Sequence, residues 1–148
     1  MIEPRPPLVY VAGPYNDHGS YLEIEQNILN ASKACEWLAA NGFWFLSPHR
    51  NSAHFETILP VIRKQFWIDM AMGLLEGCDA LLAIPGRSAG TNAEIDHADS
   101  LKIPVFWFKQ TSNGGVGDLE GLVRWRSEGW LVRMKQGKAL PGTQLRQF

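Results

Sequence analysis

Apolar and polar positions fall along the chain in blocks whose lengths suit strands and helices by turns. The run Leu-Val-Tyr-Val-Ala at 8–12 ends at Gly13-Pro14 and reads as a buried strand. Ser20 and Glu23 have capping-box spacing, in which each side chain satisfies the other residue's backbone donor. Behind them Ile24, Ile28, Ala31, Cys35 and Leu38 recur at intervals of four and three, one face of a helix that Asn41-Gly42 stops. A second strand at 43–46 is cut by Ser47-Pro48, and a polar loop follows at 49–57. A helix is expected at about 60–76, with Pro60 in its first turn and Gly77 as its stop. The continuously apolar run at 80–84 reads as a strand covered on both faces. A turn-rich loop at 85–90, a helix at about 92–102 and a strand at 104–108 come next. A glycine-rich connection at 111–117, expected to be mobile, precedes a candidate fifth strand at 130–132. Both tails, the last beginning after Lys135, are expected to be poorly ordered, and no internal repeat is found.

Strands alternating with helices imply a parallel sheet with right-handed crossovers. The expected fold is a single α/β domain: a doubly wound, Rossmann- or flavodoxin-like parallel sheet of four to five strands with helices on both faces. Ligands of such sheets sit outside the carboxyl ends of the strands. That rule gathers residues 13–19, 47–51, 85–91 and the stretch from Lys109 onward.

Composition narrows the partners. The 148 residues are 45% hydrophobic and 20% charged, with a net charge of −1 and no basic block longer than Arg63-Lys64. Long nucleic acid is excluded as a partner, because neutralising many phosphates needs clustered Lys and Arg. A single nucleotide needs no such excess, since backbone N–H groups hold a phosphate. Cys35 and Cys78 form no ligand or redox spacing and read as buried free thiols of a cytoplasmic protein. No signal segment or membrane span is read, and no membrane partner is expected. One histidine without a cysteine near the candidate residues is too little for zinc, so neither metal nor cofactor is expected.

The most informative stretch is Ile84-Pro85-Gly86-Arg87-Ser88-Ala89-Gly90-Thr91-Asn92-Ala93-Glu94. Gly90 and Thr91 lead into a helix whose free N–H groups and positive dipole end favour an anion. Two readings are open for Glu94. In the first turn its carboxylate stays ionised and serves as a nucleophile; alternatively Thr91 and Glu94 form a capping box and nothing more. Asp69, among Phe66, Trp67, Ile68 and Met70, is either a proton donor with a raised pKa or an Asp on a solvent face. Together, one ionised and one protonatable carboxylate are the pair that retaining glycoside cleavage uses. His49 either orients a sugar or phosphate or is a loop residue without a role. Tyr10 and Tyr15 flank Gly13-Pro14 and could hold a base or position a carboxylate, with strand core as the alternative for Tyr10. The six tryptophans read as core and subunit interface, and Trp107 as buried in its strand.

The order of these pieces resembles the nucleoside 2-deoxyribosyltransferase superfamily, and within it the 2'-deoxynucleoside 5'-monophosphate N-glycosidases. The matching segments are Val9-Tyr10-Val11-Ala12-Gly13-Pro14, Ser47-Pro48-His49, Asp79-Ala80-Leu81-Leu82-Ala83-Ile84, Ser88-Ala89-Gly90-Thr91-Asn92-Ala93-Glu94-Ile95 and Lys102-Ile103-Pro104-Val105. The closest look is to small bacterial and phage members. The resemblance implies that Glu94 attacks the anomeric carbon and that Asp69 assists proton transfer to the leaving base. Six residues before Glu94 the transferases carry an Asp that contacts the sugar, whereas the monophosphate hydrolases carry a Ser that binds the 5'-phosphate. Ser88 stands there and, with Gly90 and Thr91, implies a monophosphate substrate. His49 matches a histidine near the hydrolases' site, and Gly13 and Tyr15 fall in the substrate-binding loop. A homodimer or higher homo-oligomer whose subunits share sites is also implied, with the shared contacts expected after Lys109. The chain departs from the hydrolases in two places: Asp69 and Asp79 stand further apart, and the loop after the first strand holds Asp17 and no arginine. The expected activity is hydrolysis of an N-glycosidic bond. The alternatives are base exchange and a nucleotide-binding module without turnover.

Overall fold

The computed structural model describes residues 5–16, 19–111 and 114–135; the expectations for the two tails fall outside them. The order is β1 (Leu8–Ala12), α1 (Tyr21–Ala40), β2 (Trp44–Leu46), α2 (Pro48–Asn51), α3 (Phe55–Ile58), α4 (Lys64–Leu75), β3 (Ala80–Ala83), α5 (Ala89–Ser100), β4 (Val105–Thr111), β5 (Gly114–Gly117) and α6 (Leu119–Arg124). A π-helical segment, Trp125–Trp130, joins α6 to α7 (Leu131–Lys135). The strands lie side by side as β2-β1-β3-β4-β5. The first four are parallel, and β5 runs antiparallel to β4. The α/β fold with helices on both faces of a parallel sheet is therefore as expected.

Alternation along the strands divides the core in two. Val9, Val11, Ala80, Leu82 and Phe108 face α1 and α6, where Ala34, Leu38 and Leu122 close over them. Tyr10, Ala12, Leu81 and Ala83 face the other way, towards Leu75 of α4 and Ala98 of α5. Every residue of β3 is buried, as its unbroken apolar run requires. At the amino end of the sheet, Asp79 accepts from the Leu8 amide at 2.8 Å and from Arg5 at 2.6 Å, clamping the incoming chain to the start of β3. Cys35 and Cys78 are buried and unpaired.

Several boundaries differ from the sequence reading. Residues 48–58 wind into two short helices, and α4 starts at Lys64 rather than near Pro60. The Leu59 carbonyl accepts from the Ile62 amide at 3.0 Å, so Pro60 supplies its fixed φ to a turn and not to a helix start. The fifth strand is Gly114–Gly117, in the stretch expected to be a mobile connection, whose residues 112–113 lie outside the described ones. Residues 130–132 are helical instead. Asp118 caps α6 by accepting from the Gly121 amide at 3.0 Å, and the helical path continues until Trp130 is buried. Trp107 is 45% exposed and not buried; it sits in register with Ala83 on the α4–α5 face, which leaves its ring half covered.

Candidate functional site

Chain connections run from β1 to β2 on one side and from β3 to β4 on the other, so the loops leaving β1 and β3 diverge at adjacent strand ends. Open α/β sheets bind ligands at such a switch point. Two glycines let these loops approach each other. A Cβ on Gly13 would stand 3.0 Å from the Ile84 Cβ, and one on Gly86, at φ +151°, would stand 2.5 Å from Pro14 Cγ.

Past β1, Pro14 and Tyr15 meet the segment that follows β2. His49 is buried, and its Nε2 lies 2.8 Å from the Pro14 carbonyl. A carbonyl only accepts, so Nε2 carries the proton. Burial lowers the pKa of His49, which keeps the imidazole neutral and leaves Nδ1 a buried lone pair with no partner. The Tyr15 ring meets His49 edge-on at 5.3 Å. The Tyr15 hydroxyl donates to Glu56 at 2.9 Å and accepts from the His54 amide at 3.0 Å, and burial is the main reason its pKa rises to about 12. His54 adopts φ +61°, pairs with Glu25 and stacks on Tyr21 at 5.1 Å. Tyr15 thus organises its own loop and α3, and its hydroxyl is already occupied. Glu56, His54 and Glu25 went unread in the sequence because only the fold brings 15, 25 and 54–56 together; no spacing announces them.

The start of α5 closes the other side. Ser88 is its N-cap, and the hydroxyl accepts from the Thr91 amide at 3.1 Å. The Thr91–Glu94 capping box is therefore not the cap, and α5 begins three residues earlier than expected. Gly90 is exposed, whereas Thr91 is buried with an unpartnered hydroxyl.

Glu94 occupies the second turn of α5, partly buried. Burial raises its pKa to about 7, and the Tyr10 hydroxyl opposes that rise. The ionised state expected from the helix dipole is thus corrected: the dipole acts within the first turn, and desolvation prevails in the second. Tyr10 is fully buried in the core that faces α4 and α5, which excludes it as a holder of a base and bears out the strand-core alternative, with Glu94 the carboxyl near its hydroxyl. Its hydroxyl makes no hydrogen bond of ordinary length, yet burial first and Glu94 second push its pKa far upward. Four of the six buried polar side-chain atoms without a partner among the described residues, in Tyr10, Ser47, His49 and Thr91, belong to the strands and strand-end segments of this one side of the molecule. Buried polar groups are ordinarily satisfied, so such a concentration marks a place where water or a ligand completes the bonding.

Asp69 does not join this group. It is exposed on α4 and accepts from its neighbour Gln65 at 2.7 Å, which corrects the expectation of a carboxyl pointing into the site. The buried face of α4 is carried by Leu75. Among the described residues no cluster of three or more His, Cys, Asp and Glu side chains could hold a metal. No helix among them is long and apolar enough to cross a membrane.

Residues 7–108 match a family described as Domain of unknown function (DUF7768). The chain belongs to that family. The match begins just before β1 and ends inside β4, so it contains Tyr10, Gly13, Tyr15, His49, Ser88 and Glu94. No curated protein matches the chain.

Proposed function

We propose that the protein hydrolyses the N-glycosidic bond of a nucleoside 5'-monophosphate, with Glu94 as the nucleophile. The observation that carries this reading is a desolvated carboxyl with a pKa near 7, set against the buried Tyr10 hydroxyl beside the switch point. A carboxylate stripped of water is a stronger nucleophile than a hydrated one, and active sites are where such shifts concentrate. The ionised Glu94 oxygen bonds to C1' as the C–N bond breaks, and the bonding pair leaves with the base. Water then displaces Glu94 from the sugar, releasing the carboxylate. With Asp69 on the solvent side, the departing base takes its proton from water. The Ser88 hydroxyl still has its hydrogen to donate, and with the backbone amides at the start of α5 it suits a phosphate.

A second reading has its own support. The exposed position of Asp69 takes away the second carboxylate, as fits a nucleotide-binding module without turnover. One experiment separates the readings. The protein is incubated with nucleosides and their monophosphates, free base is followed by chromatography, and a 2'-fluorinated nucleotide is used to trap an adduct for mass spectrometry. Free base together with an adduct on Glu94 is the expected result, abolished in Glu94→Ala. Saturable binding without base release would establish the module instead. Base release that requires an acceptor base would establish the exchange reaction.

A further inference from the structure

Helix α3 is four residues long and has no buried residue. So short a helix is not stable by itself, and without a buried face its polar ties decide where it sits. They converge on its first turn. His54, at φ +61°, reverses the chain between α2 and α3. Its ring pairs with Glu25 and stacks on Tyr21 at 5.1 Å, two residues of α1 that stand four apart and so share one face. Its amide donates to the Tyr15 hydroxyl at 3.0 Å, and that hydroxyl donates to Glu56 of α3 at 2.9 Å. Phe55 adds an apolar anchor, its ring meeting Trp67 of α4 edge-on at 5.8 Å. The Tyr15 ring in turn rests against His49 at 5.3 Å, so α3 supports the wall of the crevice.

We propose that α3 is a pH-dependent flap on the crevice wall, clasped to α1 while His54 is charged and loosened when it is neutral. Histidine is the side chain that ordinarily changes charge between about pH 5 and 8. The titratable groups around His54 are Glu25 and Tyr21 of α1, Tyr15 after β1 and Glu56 of α3. Arg50 of α2 is turned to the Ser32 hydroxyl at 2.8 Å. Two carboxylates thus stand among these neighbours, and His54 is the member of the group that can turn cationic. A charged imidazole holds Glu25 by an ion pair. A neutral one keeps at most a hydrogen bond from Nε2. Both side chains are partly open to water, so the charge shifts the closed fraction modestly, about two- to fivefold. Loosening α3 also frees the Tyr15 hydroxyl, and with it the ring against His49. The wall is therefore firmest in mild acid and slackens as His54 loses its proton. The flap does not depend on the chemistry proposed for Glu94. Where that chemistry holds, Glu94 ionises as the clasp weakens, and the two bound activity from opposite sides.

Amide exchange of the ligand-free full chain tests it. The readout is NMR at Thr57, Ile58 and Leu59, whose amides donate to the His54 and Phe55 carbonyls. After correction for the base-catalysed intrinsic rate, protection should fall about two- to fivefold between about pH 5.5 and 8. Glu25→Gln keeps the shape without the charge and should remove that dependence. His54→Asn should do the same, since asparagine tolerates the left-handed backbone. Sodium chloride at about 1 M, where the screening length is about 3 Å, should flatten the wild-type dependence without any substitution. Protection that does not fall in the wild type, or that falls equally in Glu25→Gln or in high salt, overturns the flap. Should either variant unfold, the salt comparison decides alone. Because no nucleotide is present, a failure here leaves the Glu94 reading untouched, and absence of base release leaves the clasp untouched.

Discussion

A carboxyl group that titrates near neutrality carries a cost wherever the protein is more alkaline than that. Glu94 moves from an ordinary 4.5 to about 7 in the folded chain, chiefly through loss of water. The folded state therefore holds its proton more tightly than the unfolded one. The stabilisation this gives is fully present below about pH 4.5 and is lost as pH rises through 7. Glu94→Gln keeps the shape without the charge. It should match wild type at pH 4 and exceed it at pH 8 by up to about 3 kcal/mol, the upper bound set by that shift. Urea melts at the two pH values check this, and equal stability at both would mean that Glu94 stays solvated. Tyr10 supplies a second test. Because its hydroxyl holds the Glu94 pKa down, Tyr10→Phe should move the alkaline-going rise in activity to higher pH. Stability at pH 8 should fall with it, because the ionised Glu94 loses a group that favours it, while at pH 4 the two proteins should be alike. A pH–rate profile that does not move would separate Tyr10 from Glu94. The exposure of the carboxylates was not legible in the sequence. Asp69 sits among apolar neighbours along the chain and Glu94 in the largely polar run Thr91-Asn92-Ala93-Glu94-Ile95-Asp96-His97, yet helix packing wets the first and half covers the second.

At the scale of elements, β1, α1, β2, β3 and β4 were readable because each has a long or unbroken apolar pattern with a clear stop. The misread boundaries share a cause: a local polar contact displaced the expected one. Pro60 serves a turn and Ser88 captures the cap, while the π-helical segment places Trp130 where a strand was expected. The Ser88 cap also reshapes a mutational test. Ser88→Ala removes both the cap and the hydroxyl offered to a phosphate. It should cost about 0.5–2 kcal/mol of stability and lower kcat/KM for monophosphates about 10- to 150-fold, the loss of one hydrogen bond to a charged group. Ser88→Asp separates the two effects, because aspartate caps as well as serine while repelling a phosphate. Melting temperature should hold while preference swings to free nucleosides. Loss of both together, or an unchanged preference, would confine Ser88 to its capping role.

The clamp at the chain entrance and the crevice bordered by Gly13, His49 and Ser88 lie at opposite ends of the strands. The alternation of strands and helices made the parallel sheet legible, and with it the edge where Gly13, His49 and Ser88 assemble. It did not reveal the strand order, which pairing alone decides. Nor did it reveal the Tyr15–Glu56–His54 contacts, which join segments some forty residues apart. The clamp of Arg5 and Leu8 on Asp79 has a practical consequence. It fixes the chain's entry at the amino end of the strands, across the sheet from the proposed crevice. A protein tethered to a sensor surface through its N-terminus should therefore present that crevice to the flowing solution. Nucleotide binding measured this way should reach the full stoichiometry found for free protein by calorimetry. The same tether attached through a cysteine placed at Asn16 should cut the active fraction sharply. If both orientations bind equally, the ligand enters somewhere other than the strand ends.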